Sequence, residues 1–154
     1  MKRIEQLQPL SKEHHLSLVL DHKAIKVSSA DNQEDIATLC QQIVEEYPSV
    51  WKIHFQIEEE SIFSLFNEDG KSITKRTQLN DNVAQLCKQL KKEHTIINDY
   101  YMLMKSGDYS ILESFGHLLK QHTRTEERQL FPALEALLSP NELTIIYQTS
   151  LKYR

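Results

Sequence analysis

With only three glycines and four prolines in 154 residues, the chain lacks the punctuation that many tight turns need, which sets strand-rich folds aside. Leu, Glu, Gln and Lys are abundant instead, and these are helix formers. Runs rich in Lys or Arg are missing as well. With a formal charge of −4 and a pI near 6, the sequence has no basic footprint for a nucleic-acid backbone. No apolar run approaches the length that spans a bilayer, and Met1-Lys2-Arg3 leads into Glu and Gln rather than into the apolar core of a signal peptide. A cytoplasmic protein with no membrane partner is the expectation. The two cysteines, Cys40 and Cys87, fall in helical patterns without CxxC spacing and read as reduced, partly buried thiols. At 40% hydrophobic and 26% charged residues, the whole of 1–154 is expected to form one domain around a sizeable core.

Hydrophobic periodicity divides the chain into helical segments. Ser11 is a plausible N-cap for a first helix ending near Val27, and Ser28 to Asn32 break the pattern. A long second helix is expected from Gln33 to Phe66, kinked at Pro48 and stopped by Asn67-Glu68-Asp69-Gly70. Lys71 to Asn80 lack periodicity and link the halves, with Asn80 or Asp81 capping a third helix to Lys105. After the turn at Ser106-Gly107-Asp108, a fourth helix covers Tyr109 to Leu138. Ser139-Pro140-Asn141-Glu142 then opens a short terminal helix over about residues 140–152, with a cap, Pro at the first position and Glu at the third. The expected fold is all-α: an up-down-up-down four-helix bundle over about residues 10–138 with a short C-terminal helix packed on it.

One template is written twice: Lys-Glu-His and, on a later segment, His-x-x-x-Glu-Glu-x-x-(Ile/Leu)-Phe. The first copy is Lys12-Glu13-His14 with His54, Glu58, Glu59, Ile62 and Phe63, and the second is Lys92-Glu93-His94 with His122, Glu126, Glu127, Leu130 and Phe131. A single His-x-x-x-Glu carries little weight in a chain with this many acids, but repetition of the whole string is hard to assign to packing. Residues four apart on a helix lie about 40° apart around the axis and one turn along it, so His54 with Glu58, and His122 with Glu126, can touch one metal pair. Four buried imidazoles and two carboxylates without metal would carry a desolvation cost that ordinary packing does not repay. Together they are the donor set of a carboxylate-bridged dimetal site.

On the first helix, Leu10, Leu18 and Ile25 lie within about 40° of His14, whereas His15 lies about 100° away beside His22 and Lys26. His14 therefore faces the core, and His15 and His22 are expected at the surface, as is His117. Glu59, Glu60 and Glu127 sit about 100° or more from the ligand stripe and read as a solvated face, with Glu127 kept open as an alternative ligand. Tyr47 and Trp51 lie near the stripe, either as core or, for the tyrosine, as a hydrogen-bond donor to a bound ligand.

At these residues the chain resembles the haemerythrin-like, or HHE cation-binding, domain family, whose pattern is His, His-x-x-x-Glu, His, His-x-x-x-Glu on four successive helices. The resemblance implies that His14, His54, His94 and His122 are terminal iron ligands, and that Glu58 and Glu126 bridge two irons together with an oxo or hydroxo group; manganese or zinc ranks below iron. One departure stands out: where haemerythrin oxygen carriers place a second His four residues after the first on the third helix, this chain has Asn98. By the resemblance about ten of twelve octahedral positions are then filled, leaving two open where a carrier has one. Asn98 holding a water, or His15 or His22 filling the gap, stays open.

The function this implies is a non-haem diiron protein that binds or reacts with dioxygen, peroxide or nitric oxide in sensing, scavenging or iron handling. Its partner would be that small ligand, with a homo-oligomer or a redox partner left open. A metal-responsive interaction module without turnover is the alternative, and a dimetal hydrolase or zinc protein ranks last, since no nucleophile or base motif accompanies the donors.

Overall fold

The computed structural model describes residues 3–66 and 78–154, and among them the chain forms helices and no strand. After a 3-10 turn at Glu5–Leu7, helix α1 covers Gln8–Ala30. It starts earlier than a Ser11 cap would have it, because Pro9 occupies its first turn, where the missing N–H costs nothing and the fixed φ suits helix entry. Ser11 lies inside the helix, and its hydroxyl donates to Glu127 Oε1 at 2.7 Å. Asp31, in the left-handed region at φ 53°, closes α1 with its N–H on the Ser28 carbonyl.

The long second helix expected from the sequence is two helices. Helix α2 covers Gln33–Glu46 under an Asn32 cap, whose side-chain oxygen accepts from the Asp35 N–H at 3.1 Å. Helix α3 covers Trp51–Ser61, and a 3-10 turn follows at Phe63–Phe66. Pro48 has no N–H for the ladder, so the expected kink becomes a break, bridged by the Lys52 N–H reaching the Tyr47 carbonyl at 2.9 Å. Helix α4 covers Gln78–Lys105 and already contains Asn80 and Asp81, which were expected to cap it. The stop at Asn67 to Gly70 and the link from Lys71 to Thr77 lie outside the described residues.

The fourth segment is also divided: helix α5 covers Leu112–Thr125, one π turn covers Glu126–Leu130, and helix α6 covers Phe131–Leu137. Pro132 supplies the reason, since a helical proline leaves the carbonyl four residues earlier unbonded and crowds it with its ring; the wider turn just before it relieves both. Helix α7, Pro140–Lys152, begins as its sequence requires: the Glu142 N–H bonds Ser139 Oγ at 3.2 Å and the Ser139 N–H bonds Glu142 Oε1 at 2.9 Å.

Helix α1 lies along α5, α4 packs on α5 and α2, and α7 packs on α3. The α1–α5 approach depends on Gly116, where a Cβ would stand 3.0 Å from Ile25 Cγ1 and 3.2 Å from the Asp21 carbonyl. Two apolar clusters form the core, one around Leu10, Ile57, Phe63 and Phe131, the other around Ile43, Tyr47, Phe55 and Ile97. Aromatic side chains from both clusters touch the histidines of the template, so the site is held between them.

Candidate metal centre

Four helices and the π turn deliver the six donors: His14 from α1, His54 and Glu58 from α3, His94 from α4, His122 from α5, and Glu126 from the first residue of the π turn. Every one is at most 4% exposed. They form two overlapping groups, His14, His54, Glu58 and Glu126 in one and Glu58, His94, His122 and Glu126 in the other, each with its ligand atoms within 4.8 Å of one another. Both glutamates belong to both groups. Glu58 Oε2 lies 3.3 Å from His54 Nε2 and 3.6 Å from His14 Nε2, while its other oxygen lies 3.2 Å from His94 Nε2. Glu126 Oε1 lies 3.2 Å from Nε2 of both His14 and His122.

The outer nitrogen of each ring meets a further carboxylate. Glu13 accepts from His54 Nδ1 at 2.8 Å, Glu93 from His122 Nδ1 at 2.8 Å, Glu127 from His14 Nδ1 at 3.0 Å and Glu59 from His94 Nδ1 at 3.1 Å. A neutral imidazole that donates from Nδ1 keeps its Nε2 lone pair free and its ring orientation fixed, as metal-binding histidines require. This corrects the reading of Glu59 and Glu127 as a solvated face, and it gives Glu127 a place outside both donor groups. The signal was in the template, which repeats the Glu before the first His and the second Glu of the Glu-Glu pair. The pairings also obey the repeat: Glu13 on His54 matches Glu93 on His122, and Glu127 on His14 matches Glu59 on His94. The closing Phe of each copy packs on the other copy's first His, Phe131 stacked on His14 at 5.1 Å and Phe63 tilted against His94 at 5.3 Å.

Electrostatics show what the pocket holds when no cation is bound. Burial works against charge on the rings, but the carboxylates prevail: Glu126, Glu127 and Glu58 hold His14 well above the ordinary imidazole range, Glu58 and Glu13 raise His54, and Glu126 and Glu93 push His122 up to about 10. Burial likewise opposes ionisation of Glu58, yet His54, Glu126 and His14 hold its carboxyl well below the usual range. Despite this, both oxygens of Glu58, both of Glu126 and Nε2 of His14 are buried without a hydrogen-bond partner among the described residues. A cation between them would satisfy all these atoms at once, so the residues fit a bound metal.

The other residues marked by the sequence fall elsewhere. His15 and His22 are exposed and belong to neither donor group, so neither fills the place where Asn98 stands for a histidine. Asn98 is itself exposed. His117 is exposed as expected and pairs with Glu113 at 3.6 Å. Tyr47 stacks on Tyr101 at 4.2 Å, with its hydroxyl pKa pushed up by burial, and Trp51 meets His54 edge-on at 6.4 Å. Cys40 and Cys87 are free and buried, the Cys40 thiol pushed up to about 11 by burial.

A helical chain that gathers imidazoles and carboxylates around a shared interior point has the donors of a helical metal-binding domain. The model of the Hemerythrin HHE cation binding domain matches residues 10–134, and the chain belongs to that family. All six donors fall within the matched span, and the family implies a metal cation. No curated protein and no solved structure matches the chain. No helix among the described residues is long and apolar enough to cross a membrane.

Proposed function

We propose that this is a non-haem diiron protein whose centre binds or reacts with a small ligand, dioxygen, peroxide or nitric oxide, in sensing, scavenging or iron handling. The observation that carries the reading is the sharing of Glu58 and Glu126 between two donor groups, each completed by its own pair of histidines. In this reading His14 and His54 would hold one iron and His94 and His122 the other, with Glu58 and Glu126 available to both. The pair would sit inside an up-down-up-down bundle, with α2 and α3 forming one arm, in a cytoplasmic protein.

Iron suits the donors because two imidazoles and two bridging carboxylates exceed nothing in an octahedral shell, whereas four-coordinate zinc would leave no vacancy for a ligand. Bound iron would supply Lewis acidity, electrons and open positions. The chain's own part is to align the rings through Glu13, Glu59, Glu93 and Glu127, and to give up the Nε2 protons of the charged rings as metal enters. Phe55, Phe63 and Phe131 exclude water around the imidazoles. The exposed Asn98 offers no imidazole where an oxygen carrier has one, which favours a centre with an additional vacancy over a simple carrier.

An optical spectrum of the iron-loaded protein tests this. Charge-transfer absorption that responds to azide, oxygen or nitric oxide under anaerobic control is the expected result, and a spectrum indifferent to all three would overturn it. The orphaned carboxylates favour one further reading, a metal-responsive module whose fold depends on the cation. That reading requires the metal-free protein to lose helicity, and equal stability with and without metal would exclude it.

A further inference from the structure

The donors are closed to solvent, so a cation needs a way in, and the four outer carboxylates differ in how they could help. Glu13 is also held by Arg154, Glu127 by Ser11 at 2.7 Å with Arg3 nearby at 3.9 Å, and Glu93 by Gln89 at 3.1 Å. Glu59 has no partner other than His94 among the described residues. Its side chain is 37% exposed, against 26% for Glu127, 19% for Glu13 and 9% for Glu93.

Glu59 and His94 also border a surface depression of about 510 Å³, together with Phe55, Lys52, Glu60 and Asn98. Reading the same positions in the other copy of the template is informative. There Arg128 stands in the place of Glu60 and Leu18 in the place of Asn98, while Lys120 repeats Lys52. The face at His94 thus offers oxygen donors beside a half-open carboxylate, and the same template positions in the other copy hold a guanidinium and an aliphatic chain. An aquated divalent cation is attracted to the first and repelled by the second.

Resting on the dimetal reading, we propose that the depression at His94 is the port through which a divalent cation loads the centre, with Glu59 as its first protein ligand and His94 as the next. Glu59 can leave His94 Nδ1 for an arriving cation without giving up another hydrogen bond or ion pair among the described residues. That release frees the ring to turn and carry the cation inward toward Glu58, whose Oε1 lies 3.2 Å from His94 Nε2. No other outer carboxylate combines exposure with freedom in this way.

Stopped-flow uptake of cobalt(II) by the metal-free full chain, followed by its absorption, tests the port. Glu59→Gln should slow uptake about tenfold more than Glu127→Gln does, although both lose an equivalent imidazole contact. Asn98→Lys, a change at an exposed position outside the donors, should also slow uptake, and added salt should slow the unmodified chain while narrowing its lead over Asn98→Lys. Equal slowing by Glu59→Gln and Glu127→Gln would overturn the port, as would an Asn98→Lys protein that loads at the unmodified rate. Should the unmodified chain take up no cobalt at all, the dimetal reading itself fails; a chain that loads fully but indifferently to these changes refutes the port alone.

Discussion

Directly after His54 the chain places Phe55, whereas after its counterpart His122 it places Thr123; three residues past His14 stands Ser17, and three past His94 stands Ile97. All four are buried. Phe55 stacks on His94 at 4.1 Å beside Ile97 in the same apolar cluster, while Thr123 and Ser17 share a hydrogen bond at 2.6 Å. The backbones differ too, since a 3-10 turn begins at the closing Phe of the first copy of the template and a π turn interrupts the second. What the halves share is narrower than their sequences would permit: the six donors, the carboxylate on each outer nitrogen and a Phe packed against the other copy's first His. Repetition therefore marks the parts the centre depends on chemically, and divergence marks walls that packing alone can satisfy. The wall at Ser17 and Thr123 is polar, and the equivalent wall at Phe55 and Ile97 is apolar.

The largest expected effect comes from breaking what the halves share. Glu58→Ala and Glu126→Ala should each abolish loading of both metals, with His15→Ala close to unchanged, as read by elemental analysis of folded protein. A variant at one glutamate that still binds two metals would mean the halves are not equivalent. One step out, Glu13→Gln and Glu93→Gln should each lower metal affinity by about 10- to 100-fold in competition with a chelator, because each loosens one ring without removing a donor. Unaffected affinity in both would reduce the outer carboxylates to packing.

Smaller effects probe the walls. Thr123→Val leaves the Ser17 hydroxyl buried and unpaired and should cost about 1–3 kcal/mol in denaturant unfolding, whereas adding Ser17→Ala should recover part of that loss. A double variant that is less stable than the single would show that the polar wall contributes more than its own hydrogen bond.

The smallest effect concerns Asp21, one helical turn beyond Ser17, where Tyr101 stands in the other copy. Burial raises its carboxyl from 3.8 to about 6, against the pull of Lys120 and Arg124, and Oδ2 has no hydrogen-bond partner among the described residues. A carboxyl raised on folding favours the folded state fully while protonated, below its unfolded value, and that contribution is lost as pH rises through about 6. Asp21→Asn should accordingly stabilise the metal-free chain at pH 7–8 by roughly 1–2 kcal/mol, with the gain gone near pH 4. A gain independent of pH would assign the effect to packing.

Much of this was legible in the sequence, and the reasons it stopped where it did are physical. A repeated string of donors with helical spacing was enough to choose His14 over His15, because apolar neighbours at three- and four-residue intervals define a buried stripe. A helical wheel treats each helix alone, however, so it placed Glu59 and Glu127 in solvent where another helix in fact presents an imidazole. Glu13 and Glu93 belong to the repeated template, but the wheel shows no role for them for the same reason. The wheel also assumes one period throughout, which hid the break at Pro48 and the π turn before Pro132. Asn98 was recognisable as a departure from the family pattern, but its exposure depends on how α3 and α4 pack.

The central claim is that one repeated template builds two metal positions around a shared pair of glutamates. Anomalous diffraction from crystals of the iron-loaded chain tests it most directly. Two peaks per chain, one beside His14 and His54 and the other beside His94 and His122, with Glu58 and Glu126 touching both, is the predicted result. A single peak, or a second peak that either glutamate fails to reach, would contradict it.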